Sequence, residues 1–301
     1  MTVNKVLIAT AGFGTRFLPI TKTIQKEMLP ILNRPTIDYI VEDCVKAGIT
    51  EIIFVVNEHN TQIQDYYTPS PHVKNRLLAA GKSKQYKDIE KLHTQVKYSF
   101  ITQKHSGVYG TGVPVQLAQD QLQDEEAFLY FTGDDFTYNQ DGSSETSRMI
   151  QAFESVQAGG LMTCAQRPDD MLHKYGVVKL KHEGEADYLE DIVEKPVPGT
   201  APSNLVNISK YILTPQVFDL LKNQKLDNKT GELLITDTLL SLARQAEVLV
   251  HTPEGTFLDS GSVGSWLDAN IRMASNDPQL RGQLIRTLQD LQDTEHLTGV
   301  R

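Results

Sequence analysis

Cysteine is nearly absent: the 301 residues hold two, Cys44 and Cys164. Two isolated thiols make neither a disulfide framework nor a zinc-ligand pattern. Two buried thiols in a reducing compartment are the expectation. Long apolar runs are also missing, and no stretch approaches the roughly 20 residues that a bilayer-crossing helix needs. Met1–Lys5 is polar and leads directly into a strand-like run, not into a signal peptide. A cytoplasmic protein with no membrane partner is expected. Positive charge is in deficit as well: 29 Lys and Arg stand against 38 Asp and Glu, a formal net charge of -9. An acidic surface repels nucleic-acid phosphate, which argues against a DNA or RNA partner. It also makes a local cluster of Lys and Arg conspicuous, because such a cluster still holds a small anion. Internal repeats and low-complexity segments are lacking too.

What remains is an ordinary globular composition, 40% apolar and 22% charged. The length is near the size at which one core stops growing. Val6-Leu7-Ile8-Ala9 is a short apolar run that ends in Gly12 and Gly14, a buried strand entering a glycine turn. A helix opens at Pro35, with Ile37, Ile40, Val41, Cys44 and Val45 on one face and Gly48 as its stop. Glu51–Val56 is the next buried strand. Strand, helix and strand with short connections form a βαβ unit and imply parallel pairing. Further strands are expected at 96–101, 127–131, 161–165 and 177–180, with a helix around 115–122. Residues 59–97 are polar and read as an insertion packed on one side of the sheet; 197–203 is a loop. Pro215 suits the first turn of a helix through Leu221. Asp277 and Pro278 open a last helix, with Leu280, Leu284, Ile285, Leu288 and Leu291 on one face. The fold class is α/β with a mixed sheet.

The glycine turn Ala11-Gly12-Phe13-Gly14-Thr15-Arg16 suits an anion, since outward N–H groups with no Cβ in front of them cradle phosphate. Its spacing fails the dinucleotide fingerprint, because Phe17 occupies the third glycine position, and no Gly-Lys-Ser/Thr follows for a P-loop. On spacing alone a plain structural turn is the better reading. Arg16, Lys22 and Lys26 shift that balance: fixed cations beside a glycine turn suit a triphosphate. The intervening Leu18, Met28, Leu29 and Ile31 suggest a packed segment in place of a loose basic surface.

Asp134 and Asp135 follow a buried strand, where ligands of open α/β sheets gather. A carboxylate there holds Mg²⁺, which takes oxygen ligands and is often shared with phosphates. A lone Asp-Asp is more often a turn. Phe257-Leu258-Asp259-Ser260-Gly261 offers a second acidic residue in a similar setting.

The run Ala11 to Pro19, then Thr21-Lys22, then Lys26-Glu27-Met28-Leu29-Pro30, resembles the signature of bacterial UTP–glucose-1-phosphate uridylyltransferases, with weaker likeness at 59–97 and after Asn276. The resemblance implies a Rossmann-like, mostly parallel central sheet flanked by helices, of the nucleotide-diphospho-sugar transferase type. It implies one domain over 1–276, with 59–97 inserted and a sugar-binding part at roughly 160–262, then a helical tail over 277–301. The reaction it implies makes UDP-glucose and pyrophosphate from UTP and α-D-glucose 1-phosphate. Ala11, Gly12, Gly14, Thr15, Gln103 and Gly110 would bind nucleotide, and Arg16, Lys26 and Lys195 would be catalytic. Gly176, Glu194, Lys195 and Asn204 would bind the sugar phosphate. Asp134 and Asp259 would hold Mg²⁺, with Asp135 orienting them from behind. A homo-oligomer is implied as well.

One stretch departs from the pattern. The chain has Gly110-Thr111-Gly112-Val113-Pro114 where the family often has Gly-x-Gly-His-Ala, and the histidine is absent. His105 reads as a surface loop residue and not as its replacement. The preference for UTP over dTTP is therefore open. A thymidylyl or other nucleotidyltransferase is the nearest alternative, and a non-catalytic nucleotide-sugar sensor is the alternative of another class. An oxidoreductase is a distant third.

Overall fold

The structure, a computed structural model, describes residues 1–104, 107–156, 158–184 and 186–298. In chain order the strands are β1 (Val3–Thr10), β2 (Pro30–Ile31), β3 (Arg34–Pro35), β4 (Glu51–Asn57), β5 (Lys97–Gln103), β6 (Ala127–Thr132), β7 (Asp135–Tyr138), β8 (Gly160–Gln166), β9 (Gly176–Glu183), β10 (Ala186–Glu194), β11 (Leu205–Leu213), β12 (Val248–His251) and β13 (Thr256–Asp259). The helices are α1 (Thr36–Lys46), α2 (Gln62–Tyr67), α3 (Pro71–Ala79), α4 (Ser83–Thr94), α5 (Val113–Leu117), α6 (Gln119–Leu122), α7 (Glu145–Glu154), α8 (Gln216–Asn223), α9 (Ile235–Ala243), α10 (Val263–Asn276) and α11 (Arg281–Thr298).

A nine-stranded sheet runs in the order β5-β4-β1-β6-β11-β8-β12-β10-β9. Pairing is parallel from β5 to β6 and between β8 and β12. It is antiparallel where β11 meets β6 and β8, and where β10 meets β12 and β9. Apolar residues occur in unbroken runs in β1 and β4 because both faces are covered. Val6 and Ile8 of β1, with Ile52, Phe54 and Val56 of β4, pack with α1, α2 and α7. The alternate residues Leu7, Ile53 and Val55 pack on the other face with α5, α8 and α9. Within the first of these layers Asp43 of α1 accepts the backbone N–H groups of Glu145 and Thr146 at 3.0 and 2.9 Å, capping α7.

The expected strands are all present, and β2, β3, β7, β10, β11, β12 and β13 join them. The helix expected at 115–122 is two short pieces, α5 and α6, meeting at Ala118. The insertion differs from expectation. Only α2 packs on the sheet, through buried Ile63 and Tyr67, while α3 and α4 bury no residue at all. Asp277 accepts the N–H groups of Gln279 and Leu280, so Asp277 and Pro278 form the turn before α11 and not its first turn. On α11, Ile285, Leu288 and Leu291 are exposed. Among the described residues no helix is long and apolar enough to cross a membrane.

Candidate active site

The carboxyl ends of β1, β4, β5 and β6 lie side by side, and the glycine turn leaves from β1. Gly14 takes a left-handed conformation, φ 62°, and its carbonyl accepts the Thr21 hydroxyl at 2.8 Å. Gln25 donates to the Thr10 carbonyl, so the segment after the turn folds back onto β1. No α-helix follows the turn. Thr15–Phe17, Ile20–Lys22 and Lys26–Met28 are single 3-10 turns, and the first helix is α1. The turn therefore offers an anion loop donors and fixed cations, without a helix dipole. Ala11, Leu29 and Ile31 are buried and anchor the segment, Met28 is half-buried, and Leu18, Thr15, Arg16 and Lys22 are exposed.

Lys26 curls back over the turn. A Cβ added to Gly12 would lie 3.5 Å from Lys26 Cε, an ordinary contact distance, so the lysine chain runs directly over this glycine. Lys26 Nζ donates to Asp134 Oδ2 at 2.6 Å. Burial disfavours this ammonium, but Asp134 and Glu27 outweigh burial and hold its pKa above the usual lysine value. Burial also works against the Asp134 carboxylate; Lys26 leads the cations that overcome it and keep its pKa low. Both groups stay charged through the neutral range.

Asp259 arrives from far along the chain. β13 pairs antiparallel with β7, setting Asp259 opposite Asp135. Ser260 donates its N–H and its hydroxyl to the Asp134 carbonyl at 3.1 and 2.8 Å. A Cβ on Gly261 would lie 3.1 Å from Asp259 Oδ1, 3.2 Å from Asp134 Oδ2 and 3.5 Å from Arg16 Nη1. Two carboxylates and a guanidinium thus border one small volume that only glycine leaves open. Among the described residues no three or more His, Cys, Asp or Glu gather as a metal cage. A carboxylate pair facing one point fits a cation that completes its shell with phosphate and water, as Mg²⁺ does.

Behind Asp134 lies a buried pair absent from the sequence reading. Lys210 of β11 donates to Asp135 Oδ1 and, at 3.1 Å, to the Thr132 carbonyl. Burial pushes the Asp135 carboxyl up to about 6, against the pull of Lys210. β11 reaches this position through an irregularity between Asn207 and Tyr211, with Ser209 at φ 54°. Glu27 is a second buried acid. It is fully buried, neither carboxyl oxygen has a hydrogen-bond partner, and Lys26 Nζ stands 3.7 Å away. Burial pushes its pKa up to about 7. Gly133 leaves it room, since a Cβ there would meet Glu27 Cγ at 2.8 Å.

The residues expected on the sugar side form a second group. Gly176 of β9 pairs with Glu194 of β10, and a Cβ on Gly176 would lie 2.9 Å from Glu194 Oε2. Lys195 has φ 47°, its Nζ is 3.8 Å from Glu194 Oε1, and both side chains are about two-thirds exposed. Asn204 is exposed and accepts the Arg167 N–H through its carbonyl. Tyr175 ties this group to the carboxylates: its carbonyl accepts the Lys195 N–H at 3.0 Å, and its hydroxyl lies 3.5 Å from Asp259 Oδ2.

On the expected base side, Gln103 ends β5, buried, with Oε1 unpartnered. Gly110 has φ 128° and no space for a side chain, since a Cβ would sit 2.4 Å from the Leu233 carbonyl oxygen. Leu233 N–H donates to Tyr109 O and Gly112 N–H donates to Leu233 O, so Gly110 is first needed for this backbone zipper. The Tyr109 ring lies 5.9 Å from the exposed Phe13 ring, joining this loop to the glycine turn. His105 lies outside the described residues. Tyr109, Lys210 and Arg167 were not singled out from sequence, and Tyr175, though beside Gly176, was given no role of its own; a Tyr or Arg beside Gly or Pro gives no periodic signal.

The nucleotidyl transferase family model matches residues 5–276. A UTP–glucose-1-phosphate uridylyltransferase of Bacillus subtilis (strain 168) is 33% identical over 298 residues, 98% of this chain and 99% of that protein. Among solved structures, a UDP-glucose pyrophosphorylase complexed with UDP-glucose matches with a TM-score of 0.80 at 30% identity, over 92% of this chain and all of that one. A UTP-bound UGPase from Acinetobacter baumannii matches with a TM-score of 0.82 at 28% identity, over 96% of this chain and 100% of that one.

Proposed function

Because this chain belongs to the nucleotidyl transferase family, we propose that it makes UDP-glucose and pyrophosphate from UTP and α-D-glucose 1-phosphate. The observation that carries this reading is the convergence of Arg16, Lys26, Asp134 and Asp259 on the open space at Gly261. A sensor that only bound nucleotide sugar would have no need of a carboxylate pair opposed by two cations. Enzymes of this type generally use a divalent metal. Asp134 and Asp259 would hold that metal, as Mg²⁺, and when bound it would neutralise phosphate charge.

The chain's own groups do the rest. A phosphate oxygen of the sugar phosphate forms the new bond to the α-phosphorus of UTP, the α–β bridging bond breaks, and pyrophosphate leaves with that electron pair. Phosphoryl chemistry of this kind rests on positioning and charge stabilisation, so no protein nucleophile is needed. The glycine turn, with Ala11, Gly12, Gly14 and Thr15, lets the triphosphate approach backbone N–H groups. Arg16 and Lys26 stabilise the charge that grows on the leaving pyrophosphate. Gly176, Glu194 and Asn204 seat the sugar, and Lys195 brings its phosphate in against like-charge repulsion. Gln103 offers both a donor and an acceptor to the base edge. The test is pyrophosphate release from UTP, dTTP, ATP, CTP and GTP with glucose 1-phosphate. UTP is expected to lead, a lead by dTTP would move the chain to the thymidylyl branch, and no release with any sugar phosphate would sink the reading.

A further inference from the structure

Arg167 follows β8 and lies outside the groups described so far as reactive. Its guanidinium carbon stands 4.7 Å over the Phe257 ring, a cation–π distance. Its backbone N–H is fixed by the Asn204 carbonyl at 2.9 Å. Nε is buried with no partner, Nη2 has a long contact to the Phe257 carbonyl at 3.5 Å, and the Tyr175 hydroxyl is its one side-chain neighbour of opposite polarity among those described. Among the described residues no carboxylate pairs with it. An arginine that is partly buried and lacks a counter-ion, in a chain with nine excess negative charges, needs an explanation.

Its position supplies one. Phe257 and Asp259 are two residues apart on β13, so their side chains leave the strand on the same face. The guanidinium stacked on Phe257 therefore shares a face with the Asp259 carboxylate. Tyr175, whose hydroxyl is 3.5 Å from Asp259 Oδ2, lies between the two and borders both. On its other side Tyr175 holds Lys195 through its carbonyl. Tyr175 thus links Arg167 to both the carboxylate pair and the sugar-side group, so a phosphate carried by a sugar into this region comes within reach of the guanidinium. The stacked plane fixes the orientation of the fork, and a fixed fork matches phosphate oxygens better than the exposed, flexible Lys195 does.

We propose that Arg167 binds the phosphate of the incoming sugar 1-phosphate, an assignment that rests on the uridylyl-transfer reading above. The anion replaces the missing carboxylate, and Phe257 is the platform that holds the cation ready for it.

The experiment compares wild type, Arg167→Lys and Arg167→Met. Initial rates are measured with glucose 1-phosphate varied at saturating UTP, and with UTP varied at saturating glucose 1-phosphate. Arg167→Met is expected to raise the KM for glucose 1-phosphate about 10- to 100-fold, the loss of one charge-assisted contact. The KM for UTP is expected to stay within about twofold, since this contact is not to the triphosphate. Arg167→Lys, which keeps the charge and loses the fork, is expected to recover part of the loss. Equal rises in both KM values, or a lower kcat with both KM values unchanged, would overturn the assignment in favour of a packing role. Titration of the same three proteins with glucose 1-phosphate, followed by calorimetry without UTP, separates this assignment from the reaction. If wild type is inactive yet Arg167→Met weakens this binding, the reaction is wrong and Arg167 still holds phosphate. Unchanged affinity, or no binding by wild type, overturns the assignment.

Discussion

Replacing Glu27 with Gln tests the electrostatics of the site without touching the residues that face substrate. The carboxyl is fully buried, with no hydrogen bond to either oxygen, and its pKa is pushed from 4.5 up to about 7. A group whose pKa rises on folding contributes most below its unfolded value and loses that contribution as pH rises through the folded value. Here the window runs from pH 4.5 to about 7. Above it, ionising the buried carboxyl costs about 3 kcal/mol of stability, at about 1.4 kcal/mol for each tenfold change in proton concentration across the window. Gln does not titrate, and its unpartnered amide adds a cost that does not vary with pH. The difference between variant and wild type therefore isolates Glu27 from every other titrating group. Between about pH 5 and pH 8 that difference should move by roughly 2–3 kcal/mol in favour of the variant. For a chain of 301 residues the unfolding entropy is about 0.6 kcal/mol per degree, so the relative Tm should climb by about 4 °C. Calorimetric unfolding with a chelator present, at steps of pH, is the assay. Parallel Tm curves for the two proteins would show that Glu27 is ionised throughout, and the argument from burial would fail.

Asp134→Asn should lower kcat by about 100-fold or more, as losing a charge aimed at the reacting phosphates implies, while far-UV circular dichroism stays native; an active, metal-dependent variant would remove the metal assignment. Lys195→Ala should raise the KM for glucose 1-phosphate more than that for UTP, and equal effects would displace it from the sugar side. Lys210→Met leaves Asp135 buried without its cation and should cost about 3–5 kcal/mol by denaturant unfolding near neutral pH. Adding Asp135→Asn should return much of that loss; additive losses in the double variant would show that the pair is not the cause.

The elements legible from sequence are those whose pattern is set by their own burial. β1 and β4 are covered on both faces, and α1 on one, so their apolar runs and stripe reach the sequence directly. The glycine turn and its lysine were legible because backbone approach and fixed charge demand particular residue types. β11 was not read as a strand, because the irregularity at Ser209 breaks its alternation, and Lys210 was lost with it. The α3–α4 hairpin was read as packed because its residues are compatible with a helix, and helical periodicity does not say whether a partner exists. Arg167 shows the same limit. Its meaning lies in a ring 90 positions away, and no local pattern carries that.

Ser260 grips the carbonyl of Asp134 across 126 positions of chain. Synthesis runs from the amino end, and domains fold largely as the chain emerges. A ribosome-bound chain extending to β12 already owns the glycine turn, Arg16, Lys26 and Asp134, but not the second carboxylate. Residues 256–261 must first be laid beside β7. α10 then fastens the arrangement: the Trp266 indole donates to the Pro30 carbonyl at 3.0 Å, and Asn270 accepts the Leu32 N–H at 2.9 Å. α10 thus clamps the hairpin just beyond Lys26, and a chain that stops short of it has not yet fastened Asp259 beside Asp134.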